Sequence, residues 1–182
     1  NSILSSKKSD IKLPKKFIFF NGSYLYKPNM FAIDTLIENI MPKIIKKFPN
    51  IKLVISGGGL KKNIKKKYLI NLGILKKKDL VNVIKKSICL AVPLEYGFGT
   101  RVKIIEALIL GCKVISTKKG IEGIDMKFKN SSFKIANNNI HFTKLLINEL
   151  RNNNKFKKKS INYYKNKYNM SLIVKKFYNE NF

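Results

Sequence analysis

Histidine occurs once in this chain, at His141, cysteine only at Cys89 and Cys112, and arginine only at Arg101 and Arg151. With His141 alone and neither a CxxC nor an HExxH spacing anywhere, the chain lacks the ligand sets of ordinary zinc sites, and no metal is expected. Cys89 lies in an apolar run and Cys112 opens another. Both read as small core residues of a reducing compartment, not as a disulfide framework. No apolar run reaches the roughly 18 residues that span a bilayer, and no signal-peptide core opens the chain. The expected location is cytoplasmic.

Acidic residues are scarce too: 10 Asp and Glu stand against 38 Lys and Arg, for a net charge of +28. Such an excess ordinarily points to nucleic acid or an anionic membrane surface. Here it is almost all Lys, accompanies heavy use of Asn and Ile, and runs through every segment, which reads as the amino-acid bias of an AT-rich genome. No arginine-rich arm and no interleaving of aromatic with basic residues marks an RNA-binding face, so no specific nucleic-acid partner is expected. Weak attraction to anionic membrane follows from the charge itself, and a peripheral place on the inner membrane face is compatible with it.

What remains is a chain of 182 residues, 45% hydrophobic, long enough for a sizeable core. Residues 1–16 are polar and Ser/Lys-rich and read as a linker or the remnant of a preceding segment; with Asn and not Met first, the chain is expected to be a piece of something longer. Residues 17–150 form the domain and 151–182 a C-terminal helical extension. Within the domain, Phe17 to Phe20, Ile51 to Ile55, Tyr68 to Leu72, Ile88 to Val92 and Val114 to Ser116 read as buried strands, with Phe133 to Ile135 a weak edge strand. Helices are expected from Phe31 to Ile45, kinked or restarted at Pro42, in the basic stretch from Leu60 to Lys67, from Lys78 to Lys86, from Arg101 to Leu110, from His141 to Leu150 and from Lys159 to Tyr178. This alternation predicts an α/β fold with a Rossmann-like parallel sheet and helices on both faces. Ligands of such sheets bind at the carboxyl ends of the strands, where the glycine turns at Gly22, Gly57 to Gly59, Gly73 and Gly97 to Gly99 fall.

The stretch from Pro93 to Leu108 carries the most chemistry. A strand runs into Gly97 and Gly99, Thr100 is placed to cap a helix, and the helix opens with Arg101 and Lys103. Positive side chains in a first helical turn lose about 0.3–1 kcal/mol against the macrodipole, an objection that a bound anion removes. Arg101 stands out in a lysine-biased chain because a guanidinium recognises phosphate bidentately. The residues alone leave two readings: an anion site, or solvated cations beside a glycine-shaped turn.

Taken together, Phe19 to Ser23 with Lys27 to Asn29, Leu53 to Gly59, Asn71 to Leu75, Gly97 to Ala107, and Gly111 to Thr117 with Gly120 to Gly123 resemble the C-terminal, donor-binding domain of a family-4 glycosyltransferase of the GT-B fold. The resemblance runs in unbroken order from Phe17 to Leu150. It implies a nucleotide-diphosphate sugar of the UDP or GDP type as donor, no separate cofactor, a glycan or glycolipid acceptor, and an acceptor-binding N-terminal domain missing from this sequence, without which the chain is catalytically incomplete. It assigns the catalytic places to Arg101 and Glu106, with Glu106 taking the ribose hydroxyls. Donor contacts fall to Gly22, Ser23, Lys27, Ile74, Leu75, Glu95, Gly97, Phe98, Gly99, Thr100 and Lys103, the loop at Gly73 to Leu75 packing on the base.

The sequence departs from the family pattern in two places. Glu106 fills the second position of a paired-glutamate motif, but Phe98 stands in the first, with Glu95 offset from it; and Ser23 stands where many members carry Arg, leaving Lys27 or Arg101 to supply that charge. The competing readings are a non-catalytic basic module for nucleic acid or anionic membrane, and a sugar-nucleotide epimerase, for which His141 is the sole histidine. A dinucleotide-binding enzyme is disfavoured because the turn after the first strand, Asn21 to Ser23, is not GxGxxG.

Overall fold

A strand that is apolar on both faces has to be covered on both, and the side chains of Phe17, Ile18, Phe19 and Phe20 are all completely buried. In the computed structural model, which describes residues 11–60, 64–99, 101–152, 156 and 158–169, these four belong to β1 (Phe17–Asn21). The other strands are β2 (Lys52–Ser56), β3 (Leu69–Asn71), β4 (Cys89–Val92), β5 (Lys113–Thr117) and β6 (Phe133–Ala136). All pairings are parallel, in the order β3-β2-β1-β4-β5-β6. The chain therefore builds outward from β1 to β3, returns, and builds the other way from β4 to β6. The reversal lies between β1 and β4. In open parallel sheets that is where a crevice forms at the carboxyl ends of the strands.

The helices are α1 (Lys27–Asp34), α2 (Met41–Ile45), α3 (Lys77–Lys86), α4 (Val102–Ile109), α5 (Asn139–Asn152) and α6 (Lys158–Lys167). The expected break at Pro42 takes a specific form. Proline has no N–H, and its ring would meet the carbonyl four residues back. Residues Thr35–Ile40 widen into a π-helix, Met41 N–H bonds the Leu36 carbonyl, and α2 restarts with Pro42 in its first turn. The π pattern would pair the Ile37 carbonyl with the N–H of residue 42, which does not exist. The buried hydroxyl of Tyr68 donates to it instead, at 2.7 Å.

Residues 64–68 are not helical, contrary to the helix expected from Leu60 to Lys67, whose residues 61–63 lie outside the described residues. Five of the eight residues from 60 to 67 are Lys, and the apolar Leu60, Ile64 and Tyr68 reach the core without residues 64–68 being helical. The described part of the C-terminal extension joins the same core: Tyr164 of α6 is fully buried, and α6 packs on α4. Residues 170–178, the rest of the helix expected from Lys159 to Tyr178, lie outside the described residues.

One ion cluster ties the far half of the sheet to its covering helix. Glu149 of α5 is 3% exposed and receives Lys113 of β5 and, at 3.2 Å, Lys134 of β6. A buried ion pair adds little over apolar packing, but removing one member strands the others. Glu149→Ala is expected to lower the unfolding free energy in urea by roughly 3 kcal/mol, the low end of the range for a broken buried pair, because Lys134 keeps some contact with water. Tyr68→Phe, which orphans only the Ile37 carbonyl, is expected to lower it by about 1–3 kcal/mol. Wild-type melting in either variant would show that water satisfies the freed groups.

Candidate functional site

At the carboxyl edge of the sheet the strand ladder continues into the loops. Gly22 N–H bonds the Ser56 carbonyl, Tyr24 N–H that of Gly58, and Gly57 N–H that of Gly73, each at 2.8 Å. Gly57 has φ +137°, and a Cβ there would sit 2.2 Å from the Gly22 carbonyl oxygen, so only glycine lets the first two loops come this close. The turns expected to cluster on one edge do so.

Lys103, in the first turn of α4, crosses the reversal point from β4 towards β1. Its ammonium donates to Asn29 Oδ1 at 2.8 Å and lies 4.5 Å from the centroid of the Phe20 ring. Asn29, buried in the first turn of α1, in turn donates through Nδ2 to the Ser23 carbonyl at 3.1 Å. A Cβ on Gly22 would fall 2.7 Å from both Lys103 Nζ and Asn29 Nδ2. The missing side chain at position 22 is therefore what admits the cation. Burial, and secondarily Arg101, lower the Lys103 pKa to about 8. A half-desolvated cation at a helix N-terminus is an unfavourable arrangement in isolation and a favourable one around an anion.

Arg101 is placed differently from what its residue type suggested. The helix begins one residue later, at Val102, with Arg101 as its N-cap residue; Thr100, expected to be the cap, lies outside the described residues. The Arg101 side chain is 8% exposed. One terminal nitrogen donates to the carbonyls of Gly97 and Lys119 at 3.2 and 3.0 Å and to Glu122 Oε2 at 3.4 Å; the other reaches the Phe98 carbonyl at 3.4 Å. The guanidinium thus pins the β4–α4 loop to the loop after β5. Lys119 and Arg101 hold the Glu122 carboxyl below its usual range, Lys119 contributing most.

Glu106 lies one turn beyond Lys103, on the same face of α4. It is half-buried, and its pKa is raised by burial, against an opposing pull from Lys77 at the start of α3. Beyond it lies the β3–α3 loop, where Ile74 is 84% exposed and Leu75 half-buried beside a cavity of about 360 Å³ lined by Ile11, Ile74, Leu75, Lys76, Lys78 and Asp79. Ile74 overlies Gly58 and Leu25 overlies Gly59, forming an apolar shelf. Of the other sequence-assigned residues, Gly22, Ser23, Gly97 and Gly99 are at the loops described. Lys27, Glu95 and Phe98 are exposed, Phe98 lying under the Lys119 ammonium at 5.3 Å.

Two contributors escape the sequence reading. Asn29 is one, although Pro28 beside it marks the helix start whose first turn faces the glycine loop. Tyr26 is the other: its hydroxyl accepts from Phe98 N–H at 3.3 Å and joins the first and fourth loops. Among the described residues no group of three or more His, Cys, Asp and Glu could hold a metal ion, and no helix is long and apolar enough to cross a membrane.

Residues 15–151 match the family model described as Glycosyl transferases group 1. A curated relative, an uncharacterized 44.6 kDa protein in the cps region of Klebsiella pneumoniae, is 26% identical over 185 residues, covering 91% of this chain and 47% of the relative. The chain thus spans about half the length of the curated relative it matches. The fold is shared with TarM at TM-score 0.66 and 19% identity, over 96% of this chain and 36% of that one. It is shared with the Anabaena protein HepE, solved in complex with UDP and glucose, at 0.60 and 12%, over 83% and 44%. The C-terminal domain of the group 1 glycosyl transferase LpcC from Francisella tularensis matches at 0.61 and 16%, over 85% of this chain and 87% of that domain.

The depressed Lys103 pKa carries a stability signature. Between about pH 8 and the ordinary lysine value of 10.5 the unfolded chain holds a proton on this group that the folded chain has released, so folding gains as pH rises through that window and is indifferent below it. Relative to Lys103→Met, the wild-type chain is expected to gain on the order of 2 kcal/mol of unfolding free energy across the window. A difference that stays flat from pH 7 to 10.5 would place the ammonium in solvent.

Proposed function

The chain belongs to the glycosyl transferases group 1 family, and from that premise we propose that it is the donor-binding half of a glycosyltransferase, holding a nucleotide-diphosphate sugar and acting together with a separate acceptor-binding part. The observation that carries this reading is Lys103, a cation held at the β1/β4 reversal against the bare backbone of Gly22. The diphosphate lies between this ammonium and the glycine loop at Gly97 to Gly99, at the N-terminus of α4, where helix dipole and cation act with the same sign on an anion.

The spacing along α4 follows that of a nucleotide. Glu106 is three residues beyond Lys103, a rise of about 4.5 Å, and its carboxylate accepts the ribose hydroxyls. The base rests on the shelf of Ile74 and Leu25, beside the cavity under the β3–α3 loop. When the glycosidic bond to the donor breaks, negative charge accumulates on the leaving diphosphate, and Lys103 stabilises it electrostatically without a proton or a metal having to move. Arg101 contributes by fixing the shape of the loop that the phosphates contact. The HepE complex with UDP and glucose, on the same fold, is consistent with a UDP-type donor. The acceptor we propose is a surface polysaccharide or glycolipid, worked on at the inner membrane face, to which a chain of net charge +28 is drawn.

Titration calorimetry with UDP and GDP tests the reading. One of them is expected to bind at millimolar affinity or better, Lys103→Ala and Glu106→Ala each weakening it by roughly 10–100-fold, as loss of a charge-assisted contact does. Affinity is expected to be level below about pH 8 and to fall as the free Lys103 loses its proton above it. A folded sample that binds no nucleoside diphosphate overturns the proposal. Salt-sensitive association with duplex DNA or anionic vesicles, indifferent to both substitutions, would replace it with the basic-module reading.

A further inference from the structure

We propose that α6 positions the β4–α4 loop, acting through Asp125 and Arg101. Nearly every polar group of Asp125 is engaged by α6, by Tyr168 just past its end, or by its own turn. Its N–H donates to the Tyr168 hydroxyl at 2.9 Å, its carbonyl accepts from the Tyr164 hydroxyl at 3.3 Å, and its carboxylate takes Lys127 N–H at 2.9 Å and Lys167 Nζ at 3.2 Å. Tyr164 is fully buried and packs edge-on against Phe128, further along the same connection, at 5.9 Å between centroids. The connection after β5 is thus not held by the sheet alone. Its downstream half is fastened to a helix from the chain's C-terminal region.

The upstream half of that connection holds the loop. Lys119 presents its carbonyl and Glu122 its carboxylate to one Arg101 nitrogen, and the guanidinium closes on the carbonyls of Gly97 and Phe98. Gly97 and Gly99 have φ of +116° and +98°, so the loop they bound lies in a region open to glycine and has no regular ladder of its own. Its shape is set from outside. Arg101 Nε is buried with no hydrogen-bond partner, a sign that the side chain is placed for its terminal nitrogens. Meanwhile α6 braces the other end of α4, where a Cβ on Gly111 would meet Ile161 Cδ1 at 2.9 Å. The helix therefore fixes both the connection after β5 and the far end of α4, and the loop hangs between them.

The effect on a donor rests on the reading above; the mechanical coupling does not, and the two are tested separately in the same 182-residue chain. The double variant Tyr164→Phe/Tyr168→Phe removes both hydroxyls and keeps both rings. In the ligand-free protein, amide hydrogen exchange in residues 96–101 is expected to rise at least fivefold, as it does in Arg101→Ala, with no further rise when the changes are combined. Lys167→Ala, which removes only the charge contact, is expected to give a smaller rise in the same segment and serves if the double variant fails to fold. UDP or GDP affinity is expected to weaken roughly three- to tenfold in the tyrosine pair, with Lys103→Ala effects multiplying on top. Unchanged exchange at 96–101, or effects of the tyrosine pair and Arg101→Ala that multiply, would overturn the coupling. Coupling seen by exchange in a chain that binds no nucleoside diphosphate would leave the brace standing and remove the donor reading.

Discussion

The rest of this molecule depends on the constraint that a fully apolar central strand imposes. With Phe17 to Phe20 buried on both faces, β1 must be covered from both sides of the sheet; it sits in the interior of the sheet, and the chain adds strands on both sides of it. Adding them in two passes places a reversal beside β1, and the reversal opens a crevice at the carboxyl ends of β1 and β4. The candidate site lies at that opening. Gly22 and Asn29 follow β1 and Lys103, 74 residues beyond Asn29, follows β4; they meet because β1 and β4 are neighbours across the reversal.

Charge then distinguishes this crevice from the rest of the surface. Lysine is so abundant here that its presence anywhere carries little information. What sets Lys103 apart is environment: it is turned inward, its hydrogen-bond acceptor is a neutral amide and not a carboxylate, and burial depresses its pKa to about 8. Contrast Lys113 and Lys134, which share Glu149 and so have their compensation inside the protein. Lys103 has no acidic partner within ion-pair distance among the described residues, which is the ground on which an anionic ligand is proposed there.

Much of the architecture was legible in the sequence because it rests on local regularities. Continuous apolar runs marked the strands, glycine marked where they end, and Pro42 marked a helix restart. Where reading from sequence failed, the deciding contact was tertiary. The widened turn before Pro42 needs the hydroxyl of Tyr68, which lies on a different element. The lysine-rich stretch before β3 has adequate helix propensity, yet it stays irregular where it is described, its Ile64 and Tyr68 packed on the core all the same. Asn29 was invisible as a site residue because an asparagine in a first helical turn is ordinary; its partner, 74 residues away, is what gives it a role.

Arg101 shows the limit of residue-type reasoning most clearly. Its rarity in a lysine-biased chain singled it out, and phosphate was the natural ligand to suppose. The geometry offers a different reason for arginine at this position. A single ammonium on a flexible stem cannot reach the carbonyls of Gly97, Phe98 and Lys119 together and still meet Glu122, whereas a planar fork of fixed donors can. A guanidinium suited to grip two phosphate oxygens is, for the same geometric reason, suited to grip a loop with no hydrogen-bond ladder of its own. Sequence singles out the residue that carries that fork; only the positions of the surrounding carbonyls decide what it holds.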